Sequence, residues 1–197
     1  MRIAIMQPYF FPYIGYFELM KAVDVFVFLT TVQYIRRGWV NRNRIRTQDG
    51  WRYITVPVQH QPRETLICDT LIDHNQEWLL KMLNTLESTY KKAAQHPLFE
   101  SLARERSLLL SPMLIRTLKA TASYLKITPE FIESWKVDKK GQAMILSICR
   151  TLGATTYVNL SGGRELYDES VFQDHGIAIQ TRHTVPCHPT EIGRAHV

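Results

Sequence analysis

The stretch Arg2-Ile3-Ala4-Ile5-Met6-Gln7-Pro8-Tyr9-Phe10-Phe11-Pro12-Tyr13-Ile14-Gly15-Tyr16, followed after a short interval by Val25-Phe26-Val27-Phe28-Leu29, decides the fold. Arg2–Met6 and Val25–Leu29 are apolar runs without the polar alternation of a half-solvated strand, which is how strands covered on both faces read. The interval Gly15–Val23 reads as a helix. Strand, helix and strand in that order predict a parallel βαβ opening, because parallel neighbours need a crossover connection.

Working outward, Trp51–Val58 is rich in β-branched and aromatic residues between Gly50 and Pro62, and Leu66–Ile72 is a weaker strand candidate. An edge hairpin or further sheet is expected there, with the intervening arginine cluster on a loop. From Asn75 the period becomes helical, and helices are expected over Asn75–Lys92, Pro97–Leu110 and Pro112–Leu125. Trp78, Leu79, Met82, Leu83 and Leu86 recur at three and four residues, as a core-facing stripe does. Ala143–Leu152 reads as a helix closed by Gly153, Thr155–Asn159 as a strand, and Leu160–Tyr167 as a turn at that strand's carboxyl end. The whole is an α/β fold: one domain over 1–190 with a parallel-sheet core and a helical subdomain at about 75–135.

The chain carries a net charge of +6, which favours anionic small ligands, nucleic acid or an acidic membrane surface without choosing among them. Cys68, Cys149 and Cys187 show no close C-x-x-C spacing, no secretory segment is evident, and no apolar run approaches the length of a membrane span. A reducing cytoplasm is the expected location, with no transmembrane segment. Glu191–Val197 reads as the translation of a common sequencing-library adapter, so it is set aside as an artefact; the native chain is expected to be truncated near Thr190.

Two segments carry candidate chemistry. Residues 7–16 place two prolines, a glycine and a run of aromatics between a strand and a helix, and six arginines lie between Tyr34 and Arg52. Together they suggest a shaped wall beside something anionic. Asn41, Arg42, Asn43 and Arg44 are the candidate catalytic residues, the arginines neutralising phosphates and the asparagines orienting a carbonyl or hydroxyl. Gln7, Tyr9, Tyr13, Tyr16, Gln33, Arg36, Arg37 and Trp39 are candidate substrate contacts. So are Ser161, Gly162, Gly163 and Arg164, where glycines at the end of a strand let the backbone approach a ligand and Arg164 pairs with a phosphate or carboxylate. The competing reading is core packing for the aromatics and a solvated or protein-contact face for the arginines. Cys187 with His183 and His188 lacks a fourth ligand, so no metal site is expected.

Met6–Tyr16, Val32-Gln33-Tyr34, Trp39–Ile45 and Tyr157–Gly163 together resemble the WbqC-like proteins, along nearly the whole chain. That resemblance implies a bacterial cytoplasmic protein linked to O-antigen or other surface-polysaccharide biosynthesis, with roles in decorating sugars, amino-acid transfer included. At fold level, the opening strand, proline turn and Tyr-x-Gly-Tyr are similar to nucleotidylyltransferases of the HxGH class, implying a HUP/Rossmann-like nucleotidylyltransferase-type core. Tyr13 and Tyr16 stand at the positions of that class's histidines and carry no positive charge at neutral pH.

The expected function is group transfer, of an amino acid, acyl or related group, onto a nucleotide- or lipid-linked sugar. The expected partner is an anionic small molecule such as a nucleotide-sugar or another phosphorylated or acyl donor. The cofactor, general base and oligomeric state stay open. A noncatalytic binding or scaffold module is the alternative. The arginine cluster with Tyr34, Trp39, Trp51 and Tyr53 interleaved could also stack bases and track a nucleic-acid backbone, but nucleic acid is disfavoured, because arginines gathered on one loop beside a proline-glycine turn suit a pocket better than an extended stripe.

Overall fold

The protein is described by a computed structural model over residues 1–48, 50–75, 77–91 and 106–182, with the main chain alone at Arg164. The helix expected over Pro97–Leu110 and the Cys187 cluster lie largely or wholly outside these residues. The chain divides into two compact units. One comprises Met1–Met6, Tyr13–Leu29 and the described residues from Lys126 onward; the other comprises Gln7–Pro12 and the described residues of Thr30–Leu125.

The first unit is built on five parallel strands: β1 (Arg2–Met6), β2 (Val25–Phe28), β5 (Glu130–Glu133), β6 (Thr156–Leu160) and β7 (Ala178–Arg182), in the spatial order β5-β2-β1-β6-β7. Along this sheet the chain runs outward from β1 through β2 to β5, then returns to the other side of β1 for β6 and β7. Ile3 pairs with Val25 on one side and Tyr157 on the other. Helix α1 (Ile14–Lys21) links β1 to β2, and α4 (Gly141–Thr151) leads from β5 to β6. Rings from α1, β2 and β5 form an aromatic centre, in which the Phe26 ring lies 5.4 Å from Tyr16 and 5.3 Å from Phe28, and Phe28 stacks on Phe131 at 5.6 Å.

The amino terminus is fastened within this sheet. The Met1 ammonium donates to Thr155 Oγ1 at 2.7 Å, and the Met1 carbonyl accepts from the Thr155 amide at 2.9 Å.

The second unit holds the antiparallel hairpin β3 (Arg42–Thr47) and β4 (Gly50–Thr55), then helices α2 (Trp78–Tyr90) and α3 (Leu110–Tyr124). Ile45 and Ile54 reach inward to a cluster with Phe10, Tyr34, Val40, Val56, Trp78, Met82, Leu86, Leu110 and Met113. The stripe expected from Trp78, Met82 and Leu86 is therefore the core-facing side of α2.

Two expectations are corrected here. Arg42–Thr47 forms a strand rather than a loop, because each residue pairs across to β4 and Ile45 alternates inward between outward arginines. Leu66–Ile72 is a short 3-10 turn at Ile67–Asp69 flanked by single bridges, Gln33 to Leu66, Val58 to Ile72 and Leu71 to Leu109. The three bridging partners, Gln33, Val58 and Leu109, come from separate segments, so no continuous ladder forms.

Candidate functional site

In the first unit the chain leaves β1 and β6 side by side, at the place where the strand order reverses. The segment after β1 ends at Tyr13, which takes the N-cap position of α1 with extended backbone and no side-chain cap; no acidic residue stands in the first turn. The amides there are not answered by a carboxylate from their own turn, the condition under which a helix start attracts an anion. Tyr16 is fully buried against Phe26, while Tyr13 is half-buried.

The segment after β6 is Ser161–Leu166, wound as a 3-10 turn. Ser161 and Gly162 are exposed and Gly163 is buried. A Cβ at Gly163 would stand 2.5 Å from Asn159 Nδ2, and Asn159 is itself fixed by accepting the Leu160 amide on Oδ1 at 2.8 Å. Gly163 is thus needed for the close approach of a buried amide. Asn159 was legible only as part of a strand. Below it the Tyr157 hydroxyl donates to Tyr167 at 3.2 Å, and burial pushes both phenols above their ordinary range.

In the second unit the Asn41–Arg44 run organises the loops around it. The Asn43 amide donates to the carbonyls of Phe10 and Phe11. Phe11 has φ of 45°, a conformation that L residues seldom adopt, and this double bond together with Phe10 N–H to Val40 O at 3.1 Å holds it there. Arg42 reaches back to the carbonyls of Arg37 and Gly38, bracing a turn in which Arg37 has φ of 62°.

Asn41 is buried, donates to the Val56 carbonyl at 2.7 Å, and leaves Oδ1 without a hydrogen-bond partner among the described residues. Such an acceptor calls for a donor from solvent or ligand. Burial pushes the nearby Tyr34 hydroxyl up to about 12, against the pull of Arg42 and Arg36.

The arginines are layered on aromatics. Arg42 lies 4.7 Å from the Tyr53 ring centre, and Arg44 lies 5.4 Å from Trp39 and 5.9 Å from Tyr53. Arg36 donates to the Gln61 carbonyl and Gln33 to the Arg63 carbonyl at 2.6 Å. Gln7 is buried and Tyr9 half-buried beside the unit's core. The expected site residues thus fall into two groups: Tyr13, Tyr16 and Ser161–Arg164 in the first unit, and Gln7, Tyr9, Gln33, Arg36, Arg37, Trp39 and Asn41–Arg44 in the second. Sequence reading left out Asn159 and Arg46 as site residues, and named Tyr34, Trp51 and Tyr53 only in the disfavoured nucleic-acid reading. The alternation of Arg44 and Arg46 around Ile45 was the signal that could have marked a strand face.

Fold and candidate site together define a mixed α/β protein with an all-parallel five-stranded sheet and an arginine-aromatic hairpin. Residues 7–190 match the WbqC-like protein family, and the chain belongs to it. It is similar to the uncharacterised protein Rv1507c of Mycobacterium tuberculosis (strain ATCC 25618 / H37Rv), with 35% identity over 190 residues, covering 90% of this chain and 80% of the relative. No solved structure matches. Among the described residues no helix is long and apolar enough to cross a membrane.

Proposed function

We propose that this protein is a group-transfer enzyme whose first unit binds the nucleotide part of a nucleotide-linked substrate, as in the HUP/Rossmann-like class. One observation carries this reading: the strand order reverses between β1 and β6, the place in an open parallel sheet where ligands bind beyond the carboxyl ends of the strands. The start of α1, where no acidic residue stands in the first turn, and the Ser161-Gly162-Gly163 turn both follow those strands, and each turns backbone amides toward the position a phosphate would take. Tyr13 lines the ligand, and Tyr16, buried against Phe26, fixes the first turn of α1 on the sheet. In the second unit Arg36, Arg37, Arg42 and Arg44 neutralise an anionic substrate, with Trp39, Tyr9, Gln7 and Gln33 around it. Asn41 Oδ1 accepts from a substrate hydroxyl or amine, and Asn43 acts by positioning the Phe10–Phe11 turn. The transferred group is an amino acid or acyl group and the acceptor a lipid- or nucleotide-linked sugar of surface-polysaccharide synthesis, acting in the cytoplasm.

The test is a thermal-shift series with nucleoside diphosphates, nucleotide-sugars, ATP and acyl-CoA on wild type, Ser161→Ala and Gly163→Ala. A ligand at a hundred times its Kd stabilises the folded state by about 2.7 kcal/mol. The expected result is stabilisation by one nucleotide class, weakened by Gly163→Ala. Failure of every nucleotide to stabilise the wild type overturns the assignment. A noncatalytic binding module is the second reading, and what favours it is that the hairpin arginines stand along a solvent-facing strand.

A further inference from the structure

The outward face of the hairpin carries more chemistry than one phosphorylated substrate uses. Register sets Arg42 opposite Thr55, Arg44 opposite Tyr53 and Arg46 opposite Trp51. Ile45 and Ile54 turn into the core, so by strand alternation these three pairs share the other face. Trp51 is 54% exposed and Tyr53 49%, against the usual tendency of large aromatics to be mostly buried. Between Tyr34 and Arg63 the sequence has seven arginines and one acid, Asp49, so this segment's net +6 equals the charge of the entire chain.

We propose that this face binds single-stranded nucleic acid, the arginine row following the phosphates and Trp51 stacking on a base. Alternate residues of a strand repeat at about 6.8 Å, so the backbone sets Arg42, Arg44 and Arg46 in a row on one face; Arg42 is anchored on the Arg37 and Gly38 carbonyls, and Arg44 and Arg46 continue the positive charge along the strand. Arginine serves this purpose better than lysine, because its planar fork pairs with phosphate through two donors and stacks on rings. Bases of any sequence stack on an exposed aromatic beside such a row. An acidic membrane is the weaker match: the hairpin's two large aliphatic side chains are both buried, and membrane-surface binding draws on exposed apolar area. The ground for disfavouring nucleic acid was a loop of gathered arginines, and three of them instead stand in register along a strand.

The experiment is fluorescence anisotropy with labelled single-stranded DNA and RNA of about 15 nucleotides, near the upper site size of a small binding module. The other arms are an abasic strand of equal length, a duplex, and vesicles of phosphatidylserine and phosphatidylcholine, all at about 50 mM salt and above. The proteins are wild type, Trp51→Ala and Arg46→Gln, each checked for a wild-type melting curve. The expected result is binding of the base-bearing strands at least fivefold tighter than the abasic strand. Trp51→Ala should erase that preference, and Arg46→Gln should reduce the slope of log affinity against log salt by about one. No binding to either strand at the lowest salt overturns the proposal. So does tighter binding to duplex or vesicles, or a base preference that Trp51→Ala leaves intact. None of these outcomes depends on nucleotide binding by the first unit.

Discussion

In the parallel-sheet unit, β1 is buried from Ile3 through Met6 and β2 along its whole length, whereas in the hairpin unit β3 and β4 bury only Ile45 and Ile54 among their residues. The first pair derives its order from rings and aliphatic side chains excluded from water. The second derives much of its order from polar side chains that fix neighbouring carbonyls: Asn41 on Val56, Asn43 on Phe10 and Phe11, Arg42 on Arg37 and Gly38. The difference teaches that a run of asparagines and arginines can be a folding element and a recognition element at once. Hydrogen bonds that hold left-handed residues such as Phe11 and Arg37 also decide where the remaining guanidinium groups stand.

The largest effect expected from this contrast is Phe26→Ala, which opens a cavity at a fully buried ring and should cost about 3–5 kcal/mol in chemical denaturation. If the two units melt separately, the loss falls on the parallel-sheet transition alone; an equal loss in both would break the comparison. Next is Asn43→Ala, which leaves two carbonyls without their donor and should cost about 1–3 kcal/mol, confined to the hairpin transition. A loss below the noise of measurement would show that the turn holds itself.

Alkaline pH offers a third comparison. Burial raises the Cys149 thiol from 9.0 to about 12 in the first unit, and the Tyr34 phenol from 10.0 to about 12 in the second. Both groups keep their proton in the folded chain at a pH where the unfolded chain releases it, so stability is full below pH 9 and declines as pH rises toward 12. Cys149→Ala should remove the part of that decline that begins first, as read from the urea midpoint against pH. An unchanged profile would place the alkaline sensitivity elsewhere. The smallest effect belongs to Asp24→Asn. The Arg2 amide and guanidinium hold the exposed Asp24 carboxyl below its ordinary range, so its contribution is present above pH 4 and lost on acidification. The variant should be slightly less stable than wild type at neutral pH and converge with it on acidification, which shows as a slightly flatter acid limb.

The parallel opening was legible because β1 and β2 are apolar without alternation, and helices α2, α3 and α4 announced themselves by period. Strand β5 was not legible: Glu-Phe-Ile-Glu is four residues long with acids at both ends, and it is a strand because Phe131 meets Phe26 and Phe28 across the sheet edge. Strand β3 was hidden by its arginines, whose propensity says little until β4 supplies partners. The residues of the candidate site could be named from composition, but their grouping could not. Whether Tyr16 faces a ligand or the core depends on a ring contact with Phe26, which lies one strand away.

The fastening of Met1 to Thr155 has a temporal meaning. The central strand β1 is made before every strand it pairs with, and its neighbour on one side is made more than 150 residues later. At about 5–20 residues per second that interval is roughly 8–30 s, long compared with the formation of a hairpin. Until β5 follows at Glu130–Glu133, β1 and β2 have only each other as strand partners, while most of the hairpin unit, contiguous from Thr30 to Leu125, has already been made. The inserted unit therefore has the opportunity to fold first, and the sheet that contains the amino terminus closes last.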